Sequence, residues 1–275
     1  MILLDGKETA KKKREQLRET IMKFETKPTL SVIIVGDNPA SKTYVRNKEK
    51  ACEEVGIHTE TIHFEDGVCE EIIIAKIKEL NLDYKTNGIL LQLPLPKRYN
   101  EHKIINTIVP HKDVDALTDT NRANLLLYNS SRVPCTPLGV VELLKEYEIS
   151  VKHKKVLIIG RSKLVGEPLL ILMNKMNATT MWANSFTPIE TLKELCLDAD
   201  IIISCAGKRN LITQDMVTPM TTIIDVGINV DDNGKLCGDV ARDVECFAKT
   251  PVPGGVGPMT IYGLLHNTFN AFLNL

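Results

Sequence analysis

The sequence predicts a two-domain α/β fold with mostly parallel sheets. Short β-branched runs alternate with amphipathic segments along the chain, and parallel strands need such crossover helices between them. Pro134 and Pro137 separate two sets of these alternating elements and mark the predicted domain boundary. We therefore expect residues 1–137 and 259–275 to form one domain and residues 138–258 the other, with the C-terminal helix packing back on the first domain.

The first set of elements begins with an amphipathic helix predicted over residues 7–24. Asn38 followed by Pro39 is typical of a helix start, and Gly56 is typical of a helix end. The remaining predicted elements of this set are strands over 30–35, 57–64 and 88–92 and helices over 68–80 and 101–109, followed by a polar stretch over 110–124.

The second set continues the same alternation of strand and helix. It begins with a helix after Pro137, and a strand that ends before Gly160 follows. The predicted elements are helices over 138–147 and 166–177, strands over 155–159, 179–182, 201–204 and 222–226, and an apolar final helix over 259–273.

Composition excludes several classes of protein. Of the 275 residues 43% are hydrophobic and 25% charged, and 34 Lys and Arg balance 35 Asp and Glu. This balance argues against nucleic acid or an anionic membrane as the main partner, and no apolar run approaches the roughly 18 residues of a membrane span. Seven cysteines without CxxC spacing and six histidines without an HxxxH pair predict a reduced, cytoplasmic chain with no metal site.

A loop that begins at Gly160 and ends at Gly166 joins a predicted strand to a predicted helix. Glycine allows close approach of a phosphate to the backbone, and a helix N-terminus offers free N–H groups. The GxSxxxG spacing fits a tight turn without a ligand equally well. Residues 179–187 lack the acid that usually binds the ribose in NAD sites, whereas Arg161 and Ser185 can receive a 2′-phosphate, so NADP is favoured over NAD.

Tyr44 and Lys48 are four residues apart and therefore lie on the same face of the predicted helix. A lysine held in a pocket can exchange protons, and a tyrosine beside it can orient it and stack on a flat substrate. Spacing alone favours an ordinary exposed Tyr–Lys pair over a functional one.

Six motifs in one order distinguish these possibilities. They are Val35-Gly-Asp-Asn-Pro-Ala-Ser-Lys-Thr-Tyr-Val-Arg-Asn-Lys48, Leu91-Gln-Leu-Pro-Leu-Pro96, Lys112-Asp-Val-Asp115, Pro134-Cys-Thr-Pro137, Gly160-Arg-Ser162 and Thr250-Pro-Val-Pro-Gly-Gly-Val-Gly-Pro-Met-Thr260. Together they closely resemble the methylenetetrahydrofolate dehydrogenase/cyclohydrolase family, from about residue 2 to the C-terminus.

The resemblance implies a bifunctional enzyme of one-carbon metabolism and purine biosynthesis. It implies oxidation of 5,10-methylenetetrahydrofolate to 5,10-methenyltetrahydrofolate with NADP, and hydrolysis of that product to 10-formyltetrahydrofolate. Lys48 matches the acid/base group of the hydrolytic step, Tyr44 the residue that packs against the folate, Gln92 the partner of the lysine, and Asp115 the carboxylate that anchors the pterin. A neutral glutamine beside the lysine, in place of a carboxylate, favours the unprotonated amine.

The resemblance also implies two sets of binding residues and a Rossmann-like NADP-binding domain. Leu93, Pro253 and Gly254 match the folate cleft. Arg161, Ser162 and Ser185 match positions that recognise the 2′-phosphate, and the other cofactor residues are Thr136, Gly160, Val165, Gly166 and Ile228. The family implies a homodimer formed through the cofactor domain.

Three departures from the family pattern leave alternatives open. Ala116 and Ala123 stand where glycine is usual, and Ala183-Asn184-Ser185 stands where Cys-His-Ser is frequent. The alternatives are a member with the dehydrogenase activity only, a non-catalytic NADP-binding sensor, and a dehydrogenase that acts on another small substrate. Cys135 lies in a family motif without a histidine partner in the sequence, and we interpret it as a packing residue.

Overall fold

A computed structural model describes residues 1–128 and 132–274, which form two compact units. Lys12–Cys135 and Ile261–Leu275 make up the three-stranded unit, named for its sheet. Met1–Lys11 and Thr136–Thr260 make up the six-stranded unit. Parallel pairing in the three-stranded and six-stranded sheets confirms the predicted two-domain α/β fold.

Strands and helices alternate as predicted over residues 29–91 and 155–204, whereas helices follow one another over 101–146 and strands follow one another over 222–249. The helices are α1 (Gly6–Met22), α2 (Pro39–Val55), α3 (Glu70–Leu82), α4 (Glu101–Ile105), α5 (Asp119–Leu127), α6 (Cys135–Glu146), α7 (Gly166–Lys175), α8 (Ile189–Asp198) and α9 (Val256–Phe272). The strands are β1 (Ile2–Leu3), β2 (Thr29–Val35), β3 (His58–Phe64), β4 (Gly88–Leu91), β5 (Lys155–Ile159), β6 (Thr179–Ala183), β7 (Ile201–Ser204), β8 (Thr222–Asp225), β9 (Asn229–Val230), β10 (Leu236–Cys237) and β11 (Ala248–Lys249).

The three-stranded unit orders its sheet β3-β2-β4, with every pair parallel. Six of the seven residues of β2 are buried because helices cover both faces of this central strand. Leu264, Leu265 and Phe269 of α9 lie in the same core as Leu30 and Val32 of β2. The C-terminal helix therefore packs back on the first domain, as predicted.

The six-stranded unit orders its sheet β1-β11-β8-β7-β5-β6, again with parallel pairs. Its edge contains the N-terminus of the chain, because Ile2 pairs with Ala248 and Leu3 with Lys249. The sequence assigned residues 1–137 to the first domain, whereas these first residues add a strand to the second sheet. The assignment of one ligand to each unit stays a prediction.

Two helices escaped the sequence analysis. The sequence predicts only a polar stretch over 110–124, but α5 begins within it after Thr118, whose side chain accepts from the Asn121 N–H at 3.3 Å. Helix α8 was not assigned. Within residues 1–128 and 132–274, no helix is both long and apolar enough to cross a membrane.

Candidate active site

Lys48 is presented by α2, a helix with well-defined ends. The side chain of Asn38 accepts hydrogen bonds from the N–H groups of Ala40 and Ser41 at 2.9 and 3.2 Å, and Gly56 ends the helix with φ +83°. Lys48 is half-buried, and its Nζ donates to Oε1 of Gln92 at 3.0 Å. The structure therefore brings together two predicted site residues that are 44 positions apart.

Gln92 is held in one orientation. It directly follows β4, and its backbone N–H donates to the carbonyl of Ile33 on β2 at 2.8 Å. The side-chain Nε2 donates to the carbonyl oxygen of Leu93 at 2.6 Å. Because the amide nitrogen is engaged by that carbonyl, the amide oxygen faces Lys48, and Leu93 contributes to the site through its backbone.

Tyr44 lies one helical turn before Lys48 on the same helix. Its side chain is 44% exposed, although it is large and largely apolar. An exposed aromatic ring beside a fixed polar pair is available to stack on a flat ligand.

Asp115 reaches the same edge of the sheet from a segment that runs beside β4. The N–H of Ile89 donates to the carbonyl of Lys112 at 2.7 Å, and Ile89 and Asp113 form a parallel bridge. Asp115 thus follows this short pairing as Gln92 follows β4, and the carboxyl ends of parallel strands are where α/β folds bind ligands. Ala116, next in the chain, is buried with φ +55°, a conformation that favours glycine.

The buried thiol of Cys135 is influenced by the charges of both Asp115 and Lys48. Burial, above all, and then the neighbouring charge of Asp115 raise the pKa of this thiol well above its ordinary value, while the charge of Lys48 acts in the opposite direction. Lys48 and Asp115 therefore both lie within electrostatic reach of one buried sulfur. A thiol that stays protonated is a poor nucleophile, which agrees with a packing role for Cys135.

The glycine loop of the six-stranded unit is too tight for side chains at its two ends. A Cβ on Gly166 would lie 2.2 Å from the carbonyl oxygen of Gly160. Gly160 itself has φ +121°, and a Cβ there would lie 2.6 Å from the carbonyl oxygen of Cys205. Both glycines are therefore required by close backbone approach, and α7 starts directly behind them.

The side chains of this loop divide into structural and exposed groups. Ser162 Oγ accepts from the N–H of Val165 at 3.2 Å and shapes the turn. Arg161 is exposed, and its guanidinium carbon lies 5.2 Å from the ring centroid of Phe186. Ser185 is exposed beside Phe186. Since β5 and β6 pair in register, Arg161 and Ser185 both follow the carboxyl ends of neighbouring strands.

The remaining predicted residues also lie in the six-stranded unit. Thr136 Oγ1 is 3.0 Å from Thr260 Oγ1. Ile228 follows β8 and is 57% exposed. Pro253 and Gly254 precede α9, and the carbonyl of Gly254 accepts from the N–H of Lys7 at 2.8 Å. Pro253 and Gly254 thus belong to a different compact unit from Lys48.

Sequence reasoning missed two buried carboxylates that organise the loops around these sites. Asp113 accepts from the N–H of Thr118 and from Nδ2 of Asn121, both at 2.9 Å. Asp239, which is 0% exposed, accepts from the Ser204 hydroxyl and from the N–H groups of residues 206–208. Asp113 was within reach of sequence reasoning because it lies in the Lys112–Asp115 motif. Asp239 had no comparable signal.

Metal ligands do not cluster in the part of the chain that the structure describes. Over residues 1–128 and 132–274, no three His, Cys, Asp or Glu side chains are grouped as they would be around a metal ion. All seven cysteines are free thiols.

Comparisons with known proteins match both units. The family described as "Tetrahydrofolate dehydrogenase/cyclohydrolase, catalytic domain" matches residues 4–115, and its "NAD(P)-binding domain" matches residues 134–274. A Bacillus anthracis protein named Bifunctional protein FolD is 45% identical over 274 residues, which cover 97% of this chain and 95% of that protein.

Solved structures of similar proteins agree. The bifunctional FolD enzyme of Campylobacter jejuni superposes with a TM-score of 0.96 and 42% identity, covering 100% of this chain and 99% of that one. The Trypanosoma brucei dehydrogenase-cyclohydrolase, described as complexed with NADP cofactor and inhibitor, gives a TM-score of 0.95 and 32% identity, with coverage of 99% and 97%.

Proposed function

This chain belongs to the tetrahydrofolate dehydrogenase/cyclohydrolase family, and we propose that Lys48, Gln92 and Asp115 act on its folate substrate. The protein is a bifunctional enzyme that oxidises 5,10-methylenetetrahydrofolate to 5,10-methenyltetrahydrofolate with NADP and hydrolyses the product to 10-formyltetrahydrofolate. The observation that carries the residue assignment is the 3.0 Å hydrogen bond between Lys48 Nζ and Gln92 Oε1.

In the hydrolytic step, Lys48 is the base. The methenyl carbon of the substrate is cationic and already attracts a nucleophile, so the protein has to present a water molecule and remove its proton. Lys48 Nζ takes that proton as the water oxygen bonds to the methenyl carbon. The new hydroxyl then loses its proton, the bond between this carbon and N5 breaks as the formyl C=O bond forms, and N5 takes up a proton, so that one proton is released overall. Gln92 Oε1 fixes the amine without adding a negative charge, and the Leu93 carbonyl fixes the glutamine in turn.

Substrate orientation falls to the groups around this pair. The exposed ring of Tyr44 packs on the flat part of the folate, and the Asp115 carboxylate accepts hydrogen bonds from the pterin. The family motif supports Pro253 and Gly254 as folate-binding residues. We otherwise assign folate binding to the three-stranded unit and cofactor binding to the six-stranded unit, which replace the bounds 1–137 with 259–275 and 138–258 that the sequence predicted.

The residues around the glycine loop fit NADP. The absence of side chains at Gly160 and Gly166 fits the close approach of a phosphate to the loop backbone, and the exposed Arg161 supplies a cation. Residues 179–187 contain no acid that would repel a 2′-phosphate. Thr136, Ser162, Val165, Ser185 and Ile228 complete the proposed cofactor site. When bound, NADP is the oxidant of the first step and accepts a hydride from the folate substrate.

The cellular setting of the enzyme is also a proposal. Seven free thiols are typical of a reducing compartment, which supports the cytoplasm. Formyl transfer from 10-formyltetrahydrofolate supports a place in purine biosynthesis. A homodimer formed through the cofactor domain is tested by light scattering during gel filtration, where the 30.7 kDa chain would give about twice that mass.

Replacing the proposed base tests the assignment most simply. We expect Lys48→Met to reduce cyclohydrolase turnover by roughly a hundredfold or more, the contribution that a general base makes. Lys50→Met is the matched control, because Lys50 is exposed on the same helix. Equal cyclohydrolase activity in Lys48→Met and Lys50→Met, with both folded, would show that Lys48 is not the base.

A further inference from the structure

A buried asparagine of α9 holds the backbone that carries Asp115. Nδ2 of Asn267 donates to the carbonyl oxygens of Val114 and Val133, both at 2.8 Å. Val114 directly precedes Asp115, so this peptide is fixed from a helix that lies 153 residues further along the chain. The Asn267 side chain is 0% exposed, so the donor of these two bonds is shielded from solvent.

Arg132 fixes the other end of the same segment, residues 111–115, through two further hydrogen bonds. Arg132 is 5% exposed and donates from Nη1 to the backbone oxygen of Asn267 at 3.0 Å and from Nη2 to that of His111 at 2.8 Å. The segment 111–115 is therefore attached to α9 at both of its ends. Its geometry, and with it the position of Asp115, depends on where α9 lies.

The surroundings of Asn267 argue against a role in packing alone. Its Oδ1 is buried without a hydrogen-bond partner among residues 1–128 and 132–274, and its Nδ2 lies 3.8 Å from the Cys135 sulfur. Leu264, Leu265 and Val114 belong to the apolar core at this point. An unpartnered oxygen in such a core is destabilising, and a leucine of similar volume would avoid that cost. The two N–H bonds are what an asparagine offers here and a leucine does not.

We propose that Asn267 is a positioning residue for the folate substrate, acting through the Val114–Asp115 peptide to place the Asp115 carboxylate. The inference rests on the proposed role of Asp115 in binding the pterin. Asn267 does not touch the substrate. Its loss lets the Asp115 peptide shift, and a displacement of about 1 Å in a binding group is enough to cost up to about a hundredfold in efficiency.

The test compares two buried positions on the same helix in the full-length enzyme. Asn267→Leu removes both bonds to the segments that carry Val114 and Val133. Thr268→Val is the matched control, because Thr268 is also 0% exposed but its hydroxyl donates within the helix, to the Leu264 carbonyl at 2.8 Å. We expect both variants to melt at lower temperature than the parent enzyme. Asn267→Leu alone should raise the KM for 5,10-methylenetetrahydrofolate, by about ten- to a hundredfold, and leave the KM for NADP unchanged.

A double-mutant cycle separates this inference from the proposed function. If Asn267 acts through Asp115, then Asn267→Leu adds no further rise in folate KM to an Asp115→Ala enzyme. Asn267→Ser, which leaves space for a water molecule, replaces the leucine variant if that variant does not fold.

Three outcomes of the cycle would refute either the proposed role of Asp115 or the positioning role of Asn267. An Asp115→Ala enzyme with the folate KM of the parent would refute the proposed role of Asp115. A raised KM in Asp115→Ala combined with an unchanged KM in the Asn267 variant would overturn the positioning role. Fully additive effects of the two changes would also overturn it.

Discussion

The neutral charge of Gln92 is the feature of the site whose consequence is easiest to calculate. Gln92→Glu keeps an oxygen opposite Lys48 but makes the group a carboxylate of almost the same shape, and it replaces the Nε2 that donates to the Leu93 carbonyl with a second oxygen. The partner atoms are 3.0 Å apart, so the new side chain forms an ion pair with protonated Lys48. A lysine held in its protonated form cannot take the proton of the attacking water.

The size of the effect follows from the distance. At 3.0 Å two unit charges attract by about 1.4 kcal/mol in water and by about 5.5 kcal/mol at the effective dielectric constant of about 20 that suits protein sites. Lys48 and Gln92 are half-buried, so the gain lies between these limits. Even about 1.4 kcal/mol corresponds to one pH unit, and cyclohydrolase activity near pH 7 should therefore fall by at least about tenfold.

The assay follows the loss of methenyltetrahydrofolate absorbance across a range of pH values. We expect the Gln92→Glu enzyme to regain activity as the pH rises, with its profile displaced to alkaline pH by about one unit or more. Gln92→Met, which removes the acceptor without adding charge, is the control for lost orientation and should lower the rate without the alkaline displacement. The contrary result is a Gln92→Glu enzyme that retains both the parent rate near neutrality and the parent pH profile. That result would show that the neutral charge of Gln92 does not keep Lys48 available as the base.

Two further predictions concern the six-stranded unit. Arg161→Ala should raise the KM for NADP by about ten- to a hundredfold, because this is the factor that the loss of one hydrogen bond to a charged group produces. It should change the KM for NAD little. Lys163→Ala in the same exposed loop is its control, and equal effects on both cofactors would remove Arg161 from the 2′-phosphate site. The second prediction is a pH dependence of stability. Burial raises the pKa of Asp225 from 3.8 to about 6, with a smaller contribution from the charge of Asp239. Because the folded state then binds more protons than the unfolded state, Asp225 should lower the free energy of unfolding by about 2 kcal/mol as the pH rises from about 4 to about 6. Urea denaturation at pH 4 and pH 6.5 measures this slope, which Asp225→Asn should reduce and the exposed Asp243→Asn should not. The interpretation fails if the slope is unchanged in Asp225→Asn.

Local patterns predicted the parts of the fold that depend on neighbours in sequence. Asn38, Pro39 and Gly56 marked the ends of α2 because a helix end uses residues next to it. Gly160 and Gly166 marked the glycine loop because a close backbone approach excludes side chains. The motifs around Lys48 and Gln92 predicted a contact across 44 residues, which the structure confirms.

Local sequence patterns did not predict contacts between segments that are far apart in the chain. Ile2 and Leu3 form too short a run to read as a strand, and their partner is the two-residue strand β11. The two bonds of Asn267 connect α9 to segments more than 130 residues earlier, and a lone asparagine in an apolar helix gives no sequence signal for them. The φ of +55° at Ala116 shows why glycine suits that position, which the family pattern indicated but the residue itself did not.

The left-handed backbone at Ala116 bears on the departures from the family pattern. The buried methyl group is accommodated beside Asp115 with the surrounding hydrogen bonds of Asp113 intact. Asn184 uses its side-chain oxygen to accept from the N–H of Phe186 at 3.0 Å, so it shapes the loop that carries Ser185. Two of the three departures, at Ala116 and Asn184, are therefore accommodated by the local backbone and its hydrogen bonds, and the third, Ala123, is exposed on α5.

One steady-state activity assay tests the central claim that one chain carries both activities. The purified enzyme is given 5,10-methylenetetrahydrofolate with NADP, and in parallel with NAD, while reduced cofactor and methenyltetrahydrofolate are followed together. We expect reduced NADP to form faster than reduced NAD, with no accumulation of methenyltetrahydrofolate beyond the level that spontaneous chemistry allows. Steady accumulation of methenyltetrahydrofolate would contradict the assignment of Lys48 as a working base, and no turnover with either cofactor would contradict the bifunctional activity itself.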